Sequence, residues 1–185
     1  FYIAKALVRF LPLQVEDSLR VYMTPLMIHP DEPYLPISHP VGFAAELAQT
    51  YGSFKTIGWV HDTSALNSEQ ISDDAFAADM KSVFDARLAM TLGELKKNEA
   101  DLLVSVFTAT DRAGHLFTRF LDPAHARHEP GASQADLIRE TYRWMDDALG
   151  QIEGSLGETD RLIVLSDHGF HTFRRGFAAN NWLMQ

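Results

Sequence analysis

Two nearly unbroken aliphatic runs, residues 102–107 and residues 162–165, stand out in the pattern of apolar and polar positions. Neither alternates, so each predicts a strand buried on both faces, as in parallel sheets. Each run follows a segment with helical periodicity. In the first, Phe76, Met80, Val83, Phe84, Leu88, Leu92 and Leu95 recur at spacings of three and four. Ser72 supplies an N-cap, Asp73 and Asp74 sit in the first turn, and Lys96 and Lys97 lie near the end, all suited to the helix dipole. In the second, a helix beginning at Ser133 or Gln134 carries Ile138, Tyr142, Met145, Leu149 and Ile152 on one face, and Gly154 and Gly157 end it. A helix-then-strand order occurring twice predicts an α/β fold with a parallel-sheet core and flanking helices.

The N-terminal part reads differently. Residues 1–10 are apolar apart from Lys5 and Arg9 and suit either a strand or a short helix. Leu19, Val21 and Met23 alternate with polar positions, which predicts a half-buried strand with those three on its inner side. Pro25 ends it, and five prolines from Pro25 to Pro40 predict an irregular, extended connection. Residues 41–51 read as a helix with Phe43, Ala44, Leu47 and Ala48 on one stripe and Gly52 at its C-terminal cap. Residues 56–60 suit a short strand leading into a loop at His61 and Asp62, and residues 180–183 suit the start of another helix. The organisation expected is a strand and proline-rich connection over residues 1–40, then an α/β portion over residues 41–185.

The chemistry lies where the two aliphatic runs end. The second stops at Ser166, Asp167, His168 and Gly169; the first leads to Asp111, Gly114 and His115. In open α/β sheets ligands bind beyond the carboxyl ends of strands. Carboxylate oxygen and imidazole nitrogen both suit zinc or a similar divalent ion. If residues 111–115 form a helical turn, the spacing of four lets Asp111 and His115 face one point. Each pair taken singly is an ordinary polar turn. Together, on one sheet edge, they supply four donors, which suits two metal ions better than one. His29 and His39 in the proline-rich connection read as surface residues, and His125 and His128 as solvated loop residues. Arg112 and Arg119 could reach a phosphate or form surface salt bridges.

Taken together, Asp111 and His115 after a strand, and Ser166, Asp167, His168, Gly169 and Phe170 after a later one, resemble the alkaline phosphatase superfamily. The nearest likeness is to its type I phosphodiesterase/nucleotide pyrophosphatase branch. Pro36 to Pro40, Gly58 with Trp59, Asp111 to Pro123, and Phe173 to Gly176 carry the same resemblance, which spans residues 36–183. It implies an alkaline-phosphatase-like α/β fold, here incomplete, and two divalent ions, zinc or alternatively manganese. Asp111 and His115 match ligands of one ion, Asp167 and His168 ligands of the other. It further implies a Ser or Thr nucleophile and two more metal ligands, for which no matching segment is found. The expectation is therefore an internal piece of a longer enzyme, with little activity by itself. Arg174 and Arg175 are candidates for substrate phosphate.

Composition narrows the rest. The length of 185 residues suits one domain or part of one, and the apolar fraction of 46% is ordinary. The absence of Cys excludes disulfides, thiolate metal sites and Cys nucleophiles. A formal charge of −9 argues against a nucleic-acid backbone as partner. No run approaches the roughly 20 apolar residues of a membrane span, and no signal-peptide pattern opens the sequence. The expected activity is hydrolysis of a small phosphate ester: a phosphodiester, a nucleotide pyrophosphate or a phosphomonoester. A catalytically silent α/β module with a metal or interaction site is the alternative. Within the superfamily, a phosphomutase or sulfatase is a further alternative.

Overall fold

The computed structural model describes residues 5–58, 60–172 and 176–184. The chain forms two compact units, Phe1–Phe107 and Thr108–Gln185.

The first unit opens with four short strands: β1 (Ala6–Leu7), β2 (Phe10–Gln14), β3 (Arg20–Met23) and β4 (Met27–Ile28). They form two antiparallel two-stranded sheets, β1 with β4 and β2 with β3. Pro12 has no N–H to give a ladder, and it sits beside a register shift between Pro12 and Gln14. The strand at Arg20–Met23 is where the alternation places it, but the opposite side faces in. Val21 and Met23 are exposed and Tyr22 is half-buried. Tyr22 turns inward because its hydroxyl donates to the Asp62 carboxylate. Burial, reinforced by that carboxylate, pushes its pKa upward. The proline-rich connection is irregular apart from β4.

Helix α1 (Phe43–Tyr51) ends at Gly52, whose φ of 87° is a conformation that favours glycine. The Ser38 hydroxyl accepts from the Ala44 N–H at 3.0 Å, supplying the cap that Gly42 lacks. Residues 56–60 form no strand among the described residues. Asp62 instead caps a short helix, α2 (Thr63–Asn67), by accepting from Ala65 N–H at 2.9 Å. His61 is fully buried, with its ring 5.7 Å from that of Phe76.

The long helix α3 (Asp73–Lys97) forms as its caps predict. Ser72 accepts from Ala75 N–H at 3.1 Å, and Asn98 closes the helix in the left-handed region at φ 53°. Phe76, Met80 and Phe84 from its stripe are buried with Met27, Ala65, Leu66 and Ile71. Leu88, Leu92 and Leu95 are half-buried. Tyr51 donates to Glu94 at 2.9 Å and Lys97 reaches Glu46 at 2.7 Å, tying α1 to α3. The Lys55 ammonium is enclosed, donating to Val60 O at 2.6 Å and to Asp79. A cavity of about 240 Å³ adjoins it, lined chiefly by apolar side chains such as Leu11, Ile57 and Ile71.

The second unit is helical. Helix α4 (Ala109–Leu121) buries Ala109, Ala113, Phe117 and Phe120, a stripe at spacings of four, four and three. It packs against α5 (Leu137–Glu153), which a 3₁₀ turn at Ser133–Asp136 introduces. The buried face of α5 holds Leu137, Thr141 and Ala148, while Tyr142 is exposed. Ile138, Met145, Leu149 and Ile152 of the stripe its apolar periodicity predicts are half-buried beside that face. A last short helix, α6, covers Ala179–Leu183.

The parallel core expected from the sequence is not formed among the described residues. Residues 102–107 and 162–165 carry no ladder partner there, and the two sheets present are antiparallel. Ile163 is 75% and Leu165 87% exposed. A strand buried on both faces needs neighbours at its edges and layers above and below. Local pattern supplies none of these. Among the described residues no helix is long and apolar enough to cross a membrane.

Candidate metal centre

Residues 111–115 lie within a helix, the condition under which the spacing of four lets Asp111 and His115 face one point, and this places two candidate ligands. Asp111 and His115 lie in α4 four residues apart, beside the stripe that anchors the helix. At that spacing their side chains stack over adjacent turns. The Asp111 Oδ1 to His115 Nε2 distance is 3.3 Å. His168, from the loop after residues 162–165, brings its Nε2 to 3.7 Å from the same oxygen. Ligand atoms of Asp111, His115 and His168 all lie within 4.8 Å of one another.

Two of the three donors, Asp111 and His168, have a polar support. Asp111 Oδ2 receives the guanidinium of the buried Arg112 at 3.1 Å, leaving Oδ1 toward the two imidazoles. His168 Nδ1 lies 3.0 Å from the Gly169 carbonyl oxygen. A carbonyl can only accept, so Nδ1 donates there, and in the neutral ring Nε2 is the nitrogen with the lone pair. That is the usual outer partner of a metal-ligating imidazole. Ser166 donates its hydroxyl to His168 O at 2.7 Å, which fixes the turn and occupies the hydroxyl. Further along, Thr172 donates to Asp122 at the end of α4, fastening this segment to the helix.

Asp167 does not join the cluster. Its side chain is 90% exposed, with Oδ2 3.8 Å from His168 Nε2 and Oδ1 accepting from His168 N–H at 3.1 Å. Arg174 and Arg175 lie outside the described residues. Arg119 stacks its guanidinium 4.5 Å from the Phe120 ring centre, and His125 and His128 are half-buried. The backbone N–H of Arg127 donates to His125 Nδ1 at 3.0 Å, and His128 Nδ1 lies 2.9 Å from Arg119 O. Those histidines are structural members of the turn after α4.

Two residues of the centre were missed in the sequence, Arg112 as an anchor and Phe170 as a packing partner. The Phe170 ring meets those of His115 and His168 edge-on, at 4.9 and 5.2 Å between centres. It lies against Gly114, where an added Cβ would come within 2.6 Å of the ring. A mid-helix glycine costs about 1 kcal/mol relative to alanine, and here its missing side chain is the space Phe170 occupies. The visible signal was a large apolar residue directly following Asp167, His168 and Gly169.

The sequence profile described as type I phosphodiesterase / nucleotide pyrophosphatase matches residues 36–185. The chain belongs to that family. Membership places it in the alkaline phosphatase superfamily and implies the corresponding α/β fold and phosphoester hydrolysis at the level of the family. No curated protein matches the chain. No solved structure matches it.

Proposed function

We propose that this family member carries a divalent-metal site for phosphoester hydrolysis, with Asp111, His115 and His168 as the ligands that hold one ion. The observation behind this reading is the convergence of one carboxylate oxygen and two imidazole nitrogens within 4.8 Å. The donor set fits zinc, and manganese as well, since both take oxygen with imidazole nitrogen. Asp167 follows as a donor to the second of two ions, because its exposed carboxylate neighbours His168 without sharing the cluster. The substrate is a small phosphate ester: a phosphodiester, a nucleotide pyrophosphate or a phosphomonoester.

A bound divalent ion supplies Lewis-acid stabilisation of charge on phosphoryl oxygens. The residues of the chain do the positioning. Arg112 pins one oxygen of Asp111 so that the other stays toward the imidazoles. The Gly169 carbonyl fixes the tautomer of His168. Asp111, His115, His168 and Asp167 act as ligands, and none of them is assigned as general acid or base. Ser166 is committed to a backbone carbonyl, so the nucleophile is not assigned to it.

The test is zinc and manganese titration of the full chain by calorimetry, followed by inorganic phosphate titration with and without metal. Stoichiometric metal binding is expected, with phosphate binding that requires metal. Asp111→Ala, His115→Ala and His168→Ala should each lose more than the roughly 10–100-fold typical of outer-partner changes. Asp167→Ala should lose less. Metal affinity unchanged in Asp111→Ala refutes the ligand assignment. Metal binding without any phosphate binding favours the silent module.

A further inference from the structure

We infer that Phe170 is a positioning residue that sets the two imidazoles of the metal centre, and that Gly114 is glycine to admit its ring. This rests on the metal-site reading above. His115 and His168 come from different elements, a helix and a loop, and both are about half exposed. Exposed imidazoles rotate freely unless something holds them. His168 has the Gly169 carbonyl on its Nδ1. His115 has no such partner among the described residues. Its described contacts are Asp111 and the rings of His168 and Phe170.

A metal-bound imidazole ordinarily uses its second nitrogen for orientation. For His115 a ring does that work instead. The planes of Phe170 and His115 are 90° apart, and those of Phe170 and His168 are 74° apart. Both are edge-to-face arrangements, which aromatic quadrupoles favour. The two imidazoles lie 6.1 Å apart between centres, with Phe170 touching each. The ring thus acts as a spacer that keeps both Nε2 atoms near Asp111 Oδ1.

Gly114 completes the arrangement. A Cβ there would lie 2.6 Å from Cδ2, 2.7 Å from Cε2 and 2.7 Å from Cγ of Phe170. Three ring atoms at such distances require the whole ring to move. Gly114→Ala should therefore act on the metal site through Phe170, although it removes no ligand.

The experiment uses Co²⁺ as the probe, read by its visible absorption and by calorimetry on the full chain, with thermal unfolding of each variant alongside. Phe170→Ala should weaken Co²⁺ binding by about 10–100-fold and alter the absorption band. Phe170→Tyr, which keeps the ring, should recover affinity to within about threefold and restore the band. Gly114→Ala should reproduce the Phe170→Ala loss, and the double variant should be no worse than either single one. If Phe170→Ala unfolds, Phe170→Leu carries the test, and it must bind Co²⁺ more weakly than Phe170→Tyr. Wild-type binding that is lost in Asp111→Ala but unchanged in Phe170→Ala overturns this inference alone. Failure of the wild type to bind Co²⁺ overturns the metal-site reading and this inference with it. Additive losses for Gly114→Ala and Phe170→Ala overturn the coupling between them.

Discussion

Removing the Asp79 carboxylate tests how the first unit tolerates a buried charge. Lys55 has a side chain only 5% exposed, and its ammonium donates to Asp79 and to the Val60 carbonyl. Asp79 is 23% exposed and also receives Arg9 at 3.4 Å. In Asp79→Ala the ammonium keeps the Val60 carbonyl and the weaker attraction of Asp62 but loses the carboxylate it is paired with. Breaking a buried pair costs about 3–5 kcal/mol, and the partial exposure of Asp79 places the expected loss near the lower end, about 3 kcal/mol. With a urea m value of about 2 kcal/mol/M, the midpoint should fall by about 1.5 M. Burial already lowers the Lys55 pKa, and Asp79 partly opposes that shift. Without Asp79 the folded-state value falls further. As pH rises from 7 toward 10, the folded chain then releases this proton while the unfolded chain retains it up to about pH 10.4. The unfolded state binds more protons over that window, so stability increases with pH. The deficit of the variant should therefore shrink between pH 7 and pH 10. Urea unfolding followed by tryptophan fluorescence at both pH values measures it. The double variant Lys55→Met/Asp79→Leu should lie within about 1 kcal/mol of wild type, because apolar replacement removes both charges. An Asp79→Ala loss below about 0.5 kcal/mol, the range of surface changes, refutes the argument. A loss that does not change with pH refutes the assigned cause.

Two further predictions concern the helices. Ser72→Ala removes the cap of α3 and should cost about 1 kcal/mol in urea unfolding, with Ser72→Gly costing only a few tenths. Phe117→Ala empties a fully buried position on α4 and should cost about 3–5 kcal/mol, read as a lowered thermal midpoint. The same change should weaken metal binding less than His115→Ala does at a comparable temperature, since Phe117 anchors the helix and supplies no ligand atom.

Pairs of residues were more legible than their surroundings. Asp111 with His115 and Asp167 with His168 were each visible as motifs, and three of these four converge in space. The convergence depends on α4 being a helix, because only that backbone stacks positions four apart. The fourth, Asp167, shows the limit. Its place beside His168 in sequence does not decide which way its carboxylate points, and it points outward. His125 and His128, read as solvated, have ring nitrogens within hydrogen-bond distance of backbone groups, His125 through a local turn to Arg127 N–H and His128 because the chain doubles back to Arg119 after α4.

Sequence alone determined the features that rest on near neighbours. The span of α3 follows from its period, its Ser72 cap and its charged ends, all within a few residues of the bonds they serve. The end of α1 follows likewise from Gly52, which takes a positive φ that few other residues accept. Family membership follows from motifs spread over residues 36–185. Tertiary structure alone decided which faces are inside. Tyr22 turned inward to reach Asp62, against the alternation of Leu19, Val21 and Met23. On α5 the fully buried positions are Leu137, Thr141 and Ala148, one residue before members of the predicted stripe, of which Tyr142 is exposed and Ile138, Met145, Leu149 and Ile152 are half-buried, because the packing partner chooses what is covered. The aliphatic runs at residues 102–107 and 162–165 remain unpaired among the described residues, because a strand needs partners that its own residues do not contain. The same reason hid Phe170: its ring lies against Gly114, more than fifty positions away in the chain, and that distance is closed only by folding.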